Sequence, residues 1–238
     1  MNSQLATLMR RIVEASILLL SLSYISNAIL GRIGARGTAD LLMLILFSLS
    51  ILLMSTRVRR IILLPILGSF LGFIFEFIGL RYSFPFGSYR YLAFEGFTLQ
   101  GVPIPVIIAW GVYVYTCYLA SLYISRRMSI ITASSLMVLL DMALDPVMVE
   151  RGVWIWEAGG EWFGVPLTNY LGWFLVSSIS LILYNLAGEE PLEVGSTSYI
   201  PYISSFLPIL SMSGASSWLP SYISISIALI LPIMRAIK

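Results

Sequence analysis

Apolar residues fall along the chain in long blocks, separated by short stretches that hold most of the arginines and glycines. Blocks at 12–30, about 39–55, 61–80, 128–149, 166–187 and 219–237, and one from Pro103 or Pro105 to 125, are each close to the roughly 20 residues that carry a helix across a bilayer. The first follows Arg10 and Arg11, is too long for a signal-peptide core and lacks a small-residue cleavage pattern, so it reads as a retained span. Glu14, near its start, is placed to snorkel or to pair with Arg10 or Arg11. Gly31, Gly34 and Gly37 form a turn, since no strand precedes them and no phosphate-binding lysine follows. Pro103, Pro105 and Pro166 suit first helical turns, and Pro232 interrupts the last block. The segment 188–198 is a hydrophilic linker, and 199–211, with Pro201 and Pro208, is short for an unassisted crossing.

The pattern predicts an all-α integral membrane protein, a polytopic bundle of about seven or eight transmembrane helices forming one domain over 1–238. With the N-terminus inside and eight crossings, Arg10, Arg11, Arg57, Arg59, Arg60, Arg126, Arg127, Arg235 and Lys238 are cytoplasmic, nine of the fourteen basic residues; seven crossings split them seven to seven. Eight is the preferred reading.

Two stretches break the alternation. Residues 81–102 (RYSFPFGSYRYLAFEGFTLQGV) and 141–173 (DMALDPVMVERGVWIWEAGGEWFGVPLTNYLGW) are too polar to span throughout and too aromatic for freely solvated loops. They also match. Glu76 stands 65 residues before Asp141, and Gly87-Ser-Tyr-Arg-Tyr stands 65 before Gly152-Val-Trp-Ile-Trp. Gly101-Val-Pro stands 63 before Gly164-Val-Pro, and Trp110 stands 63 before Trp173. This is an internal repeat, with one copy at 71–125 and the other at 136–187. Both copies run in the same sense, so a parallel repeat about the membrane normal is expected, with both carboxylate turns and both aromatic loops at the extracytoplasmic end of the bundle.

Composition adds exclusions. Hydrophobic residues make up 58% of 238, charged residues 11%, and the mean hydropathy is +0.92, which places the chain in the cell membrane as a multi-pass protein. The net charge of +2 is dispersed in small arginine groups and gives no nucleic-acid face. Cys117 has no partner in the chain, and histidine is absent, which removes Ser-His-Asp and Cys-His catalysis and the usual zinc and di-iron ligand sets. Carboxylates are left as the main acid-base groups.

Asp141 and Asp145, four apart, share one face of a helix in an apolar run and resist ionising together, so one can hold a proton as a general acid. Otherwise one of them neutralises Arg81 or Arg151. Asp145 precedes Pro146, a position disfavoured in a helix, and so also reads as a terminator of its span. Glu76 is the repeat-equivalent of Asp141 and supplies a carboxylate on an opposite wall. Arg81 is a counter-ion, a substrate contact or an interfacial snorkelling residue. Tyr89, Tyr91, Trp154 and Trp156 either form an aromatic belt or line a pocket and stabilise positive charge. Asn169, a turn after Pro166, is placed to cap, to orient water or to bind a polar end. Gly87, Gly152 and Gly164 are expected hinges.

The run DMALDPVMVERGVWIWEAGGEWFGVPLTNYLGWF, with EFIGLRYSFPFGSYRY and GVPIPVIIAW, resembles the membrane-bound carotenoid biosynthesis hydratases of bacteria and archaea over roughly 72–173. The Asp-x-x-x-Asp-Pro, Gly-x-Trp-x-Trp and Gly-Val-Pro-x-x-Asn elements carry the resemblance. It implies a cofactor-free hydro-lyase that adds water to the terminal isopropylidene double bond of an acyclic carotenoid, giving a tertiary alcohol. Asp141 or Asp145 is then the acid, the other or Glu76 orients water, and Trp154, Trp156, Tyr89 and Tyr91 shield the cation, with Arg81, Trp110, Asn169 and Trp173 as further substrate contacts. The expected partners are the polyene, membrane lipid and water. A polyene cyclase or isomerase would use the same residues and quench the cation by proton loss, and a non-enzymatic lipid carrier or transporter is a further reading.

Overall fold

The computed structural model of the chain describes residues 3–92, 96–188 and 192–236. Part of the first aromatic loop (93–95), part of the hydrophilic linker (189–191) and the end of the last span with Lys238 lie outside the described residues. The order is α1 (Ser3–Arg32), α2 (Arg36–Ser55), α3 (Leu63–Tyr82), β1 (Tyr89–Tyr91), β2 (Thr98–Leu99), β3 (Val102–Pro103), α4 (Ile104–Ile124), α5 (Ser129–Glu150), β4 (Trp154–Trp156), α6 (Leu167–Leu186), α7 (Ile200–Ser204), α8 (Phe206–Met212) and α9 (Trp218–Ala236). α1 to α6 and α9 are long and apolar enough to cross a membrane, and the chain is a multi-pass membrane protein. α1 begins well before its apolar block, its first turns carrying polar residues and an ion pair in which Arg10 Nε donates to Glu14 Oε1 at 2.8 Å.

Residues 192–212 make the remaining traverse in broken form. Arg126 donates to the Leu192 carbonyl at the α4–α5 turn, Tyr202 OH donates to the Leu136 carbonyl of α5 at 2.9 Å, and Arg151 Nε donates to the Met212 carbonyl at 2.9 Å beyond the other end of α5. The segment therefore follows α5 from start to finish. Pro208 has no N–H to give to Ser204, and the helix is divided at Ser205 into pieces of five and seven residues. α9 returns to the first end, where the Arg235 guanidinium lies 4.0 Å from the Tyr123 ring centroid. Among the described residues the broken segment thus runs alongside the seven long helices as an eighth traverse of the bundle.

Two proline expectations are corrected. α5 runs through Pro146 to Glu150, so Asp145 does not terminate it, and α9 runs through Pro232 without interruption. Pro146 leaves the Met142 carbonyl without its helical donor, and Trp162 Nε1 donates to that carbonyl at 2.9 Å, so the polar cost of the proline is met from outside the helix.

α3, α4, α5 and α6 close a ring in which α3 packs on α4 and α6, and α5 packs on the same two. Small residues let α3 and α4 approach closely: a Cβ on Gly111 would stand 2.4 Å from the Pro65 carbonyl oxygen of α3. α1 and α2 pack together beside the ring, joined by Ser16 and Ser50, each hydroxyl 2.8 Å from the other residue's carbonyl.

The aromatic loops fold back over one end of the ring. β1 and β4 pair antiparallel, Tyr89 opposite Trp156 and Tyr91 opposite Trp154. Two further tight turns have the same backbone: Leu99 pairs with Val102 and Trp162 with Val165, and the residues between have φ of 54° and 89° at Gln100-Gly101 and 51° and 89° at Phe163-Gly164. A two-residue turn with both φ positive favours glycine at its second position, which accounts for the repeated Gly-Val-Pro.

Candidate active site

Side chains two apart on a strand share a face, so the β1–β4 ribbon presents Tyr89, Tyr91, Trp154 and Trp156 together to the ring beneath it. Tyr89 and Tyr91 reach Glu76, which α3 buries one and a half turns before its end. Glu76 Oε2 accepts from Tyr89 OH and, at 2.9 Å, from Tyr91 OH; Oε1 accepts from Trp110 Nε1 at 3.1 Å. Burial first, and the Glu76 carboxylate second, push both phenols up from their ordinary value, so they stay neutral and able to donate.

Opposite, Asp141 and Asp145 project from α5, buried at 0% and 3% exposure. One nitrogen serves both: Asn169 Nδ2 of α6 donates to Asp141 Oδ2 at 2.7 Å and to Asp145 Oδ2 at 2.6 Å. The pair is therefore joined through a neutral amide, and among the described residues no arginine forms an ion pair with it. Arg151 is engaged with the Met212 carbonyl, and Arg81 is exposed with its guanidinium 3.6 Å from the Phe77 ring centroid. Neither neutralises an aspartate. Arg81, expected as a counter-ion, a substrate contact or an interfacial snorkelling residue, does not line the cavity described below.

Between the walls lies a cavity of about 60 Å³, on a scale where one water needs roughly 10–15 Å³. Glu76, Tyr89, Tyr91, Trp110, Asp145, Trp154, Trp156, Asn169 and Trp173 line it. Asp141 does not; it stands behind Asp145, its Oδ1 without a hydrogen bond among the described residues. Trp110 and Trp173 stack face to face, centroids 4.2 Å apart, while Tyr91 meets Trp154 edge to face at 5.8 Å. The cavity thus has one carboxyl on each side, π faces around both and space for a small branched end group with water. Among the described residues no group of three or more His, Cys, Asp or Glu is arranged to hold a metal ion.

Some participants were not singled out from the sequence. Phe86 lines the cavity, and its carbonyl accepts from Trp156 Nε1 at 2.8 Å. Tyr113, one helical turn beyond Trp110, lines it as well. Tyr170 carries a buried hydroxyl with no hydrogen bond among the described residues, within electrostatic reach of both aspartates. Helical spacing from Trp110 and adjacency to Asn169 were the available signals. Phe86 had none, because the matching position in the other loop is Arg151.

The family model described as "Carotenoid biosynthesis protein" matches residues 37–234. A bisanhydrobacterioruberin hydratase of Haloarcula japonica is 30% identical over 122 residues, covering 48% of this chain and 41% of that protein, so the match spans less than half of the relative's length. No solved structure matches the chain.

Proposed function

Because the chain belongs to the family of carotenoid biosynthesis proteins, we propose that it is a hydratase that adds water to the terminal isopropylidene double bond of an acyclic carotenoid. The observation that carries this is the cavity in which Asp145 and Glu76 face each other within an aromatic enclosure. The similarity to a protein named as a hydratase supports the reaction class.

In the reaction the Asp145 carboxyl gives its proton to the alkene CH carbon, the π electrons form the new C–H bond, and positive charge develops on the carbon bearing two methyls. The faces of Trp154, Trp156 and the Trp110–Trp173 pair meet that charge, at about 2 kcal/mol for a desolvated cation–π contact. Water forms the C–O bond and releases a proton to Glu76, whose two oxygens are held by three donors. The two carboxyls border the same cavity, and water in it returns the proton to Asp145, so the net change is the addition of one water. Asn169 and Asp141 position Asp145: the Asn169 amide donates to it as it becomes anionic. No step in this scheme draws on a cofactor or metal.

The matching turns and paired ribbon support a parallel repeat at 71–125 and 136–187, with the site formed between its copies. Eight traverses with most basic residues at the α4–α5 turn end support a site at the extracytoplasmic end of the bundle.

Expression in a host that accumulates lycopene tests the reading. A product heavier by one water supports hydration; an isomer of unchanged mass supports the cyclase or isomerase instead; unchanged lycopene counts against both.

A further inference from the structure

The cavity borders are unevenly exposed. Its residues on α3 and α6, namely Glu76, Asn169 and Trp173, are buried, as is Phe86. The half-buried lining residues are Val106, Ala109 and Tyr113 of α4, with Tyr91 and Trp154 of the ribbon above them. Val106, Ala109 and Tyr113 are spaced three and four apart, so they form one stripe along α4. Ala109 is the smallest of them. On the far side the position 63 residues later is Gly172, and there Phe86 fills the space: a Cβ on Gly172 would stand 2.6 Å from the Phe86 ring and 3.0 Å from Pro85. One seam of the ring is thus plugged and the other is left with small or apolar side chains.

Resting on the hydratase reading, we propose that the cavity is entered sideways from the bilayer, through a portal on the α4 side of the ring floored by Val106, Ala109 and Tyr113, which admits one end of a rod-shaped apolar isoprenoid at a time. Tyr91 and Trp154 form its upper edge. A cavity of about 60 Å³ holds an end group and not the chain behind it, so the rest of the polyene remains among lipid tails against α4. With the opposite seam closed, the molecule cannot pass through. A substrate with two equivalent ends is then released after the first hydration and must rebind reversed, so the singly hydrated product accumulates before the doubly hydrated one.

The test uses the full-length Asp145→Asn chain in detergent, so that binding is read without turnover, with purified lycopene as probe and quenching of tryptophan fluorescence as signal. Ala109→Phe is expected to weaken binding by roughly tenfold or more, while Leu171→Trp, on the exposed face of α6, leaves it unchanged. Should Ala109→Phe fail to fold, Ala109→Cys in a Cys117→Ala background gives a second reading: lycopene slows its alkylation by an apolar maleimide and does not slow that of Leu171→Cys. Lycopene binding that Ala109→Phe leaves intact, or alkylation that lycopene does not slow, overturns the portal. Absence of lycopene binding by the Asp145→Asn chain itself instead overturns the hydratase reading on which it rests.

Discussion

Replacing Asn169 with leucine removes a side chain of similar size whose single amide nitrogen bridges the two aspartates at 2.7 and 2.6 Å. In the proposed reaction only the bond to Asp145 bears on chemistry, because Asp145 lines the cavity and Asp141 does not. A hydrogen bond to a charged group contributes about 1.5–3 kcal/mol, and Asp145 gains charge as it delivers its proton, so the loss falls on the transition state. At about 1.4 kcal/mol per tenfold, kcat should drop by about ten- to a hundredfold, with KM for the carotenoid little changed. The assay is hydroxylated product formed by purified chain in lipid nanodiscs, followed by chromatography and mass detection. Thermal unfolding of the same samples separates positioning from collapse, since a pair of buried carboxyls deprived of its donor also costs stability. A folded Asn169→Leu protein with full kcat would refute the assignment of Asn169 as the residue that holds the acid.

Related outcomes follow from the same geometry. Asp145→Asn should lower kcat by about 10²- to 10⁴-fold, the usual contribution of a general acid, and Asp141→Asn by less, as measured by product formation under saturating carotenoid. Gly172→Ala should lower the melting temperature, because its Cβ would press on Phe86 at 2.6 Å and overpacking costs about 1–3 kcal/mol. Trp162→Phe should destabilise the fold by about 1–3 kcal/mol, readable in thermal unfolding, by stranding the Met142 carbonyl opposite Pro146. The Tyr89 and Tyr91 phenols are raised by burial and by Glu76, so they keep their protons above the pH at which free tyrosine ionises. The alkaline limb of the rate profile should therefore be the same in the parent and in Tyr91→Phe up to about pH 9.

Much of this arrangement was legible from residue order. The apolar blocks located the long helices, because membrane spans need continuous apolar surface and leave little choice of period. Side chains related by the offsets of 65 and 63 residues lie together in the structure: the Tyr-x-Tyr and Trp-x-Trp stretches are paired strands, and Trp110 and Trp173 are a stacked pair. What order alone did not reveal was orientation within a turn. Asp141 and Asp145 share a helix face, yet only Asp145 reaches the cavity, because the helix places Asp141 one turn deeper beneath Asn169. Arg81 follows Leu80, the position matching Asp145, but the next residue on a helix points about 100° away, and it stacks on Phe77 outside the ring. The prolines misled for a related reason. A local rule about Pro146 was overridden by a tertiary donor, Trp162, sixteen residues later.

The central claim is that Asp145 delivers the proton that starts addition of water to a carotenoid end. The measurement that bears on it most directly compares the purified parent chain with Asp145→Asn, each supplied with lycopene in heavy-oxygen water, by product mass. The account predicts a tertiary alcohol carrying the heavy oxygen from the parent and at least a hundredfold less from Asp145→Asn. Equal labelled alcohol from both, or an isomer of unchanged mass from the parent, would contradict it.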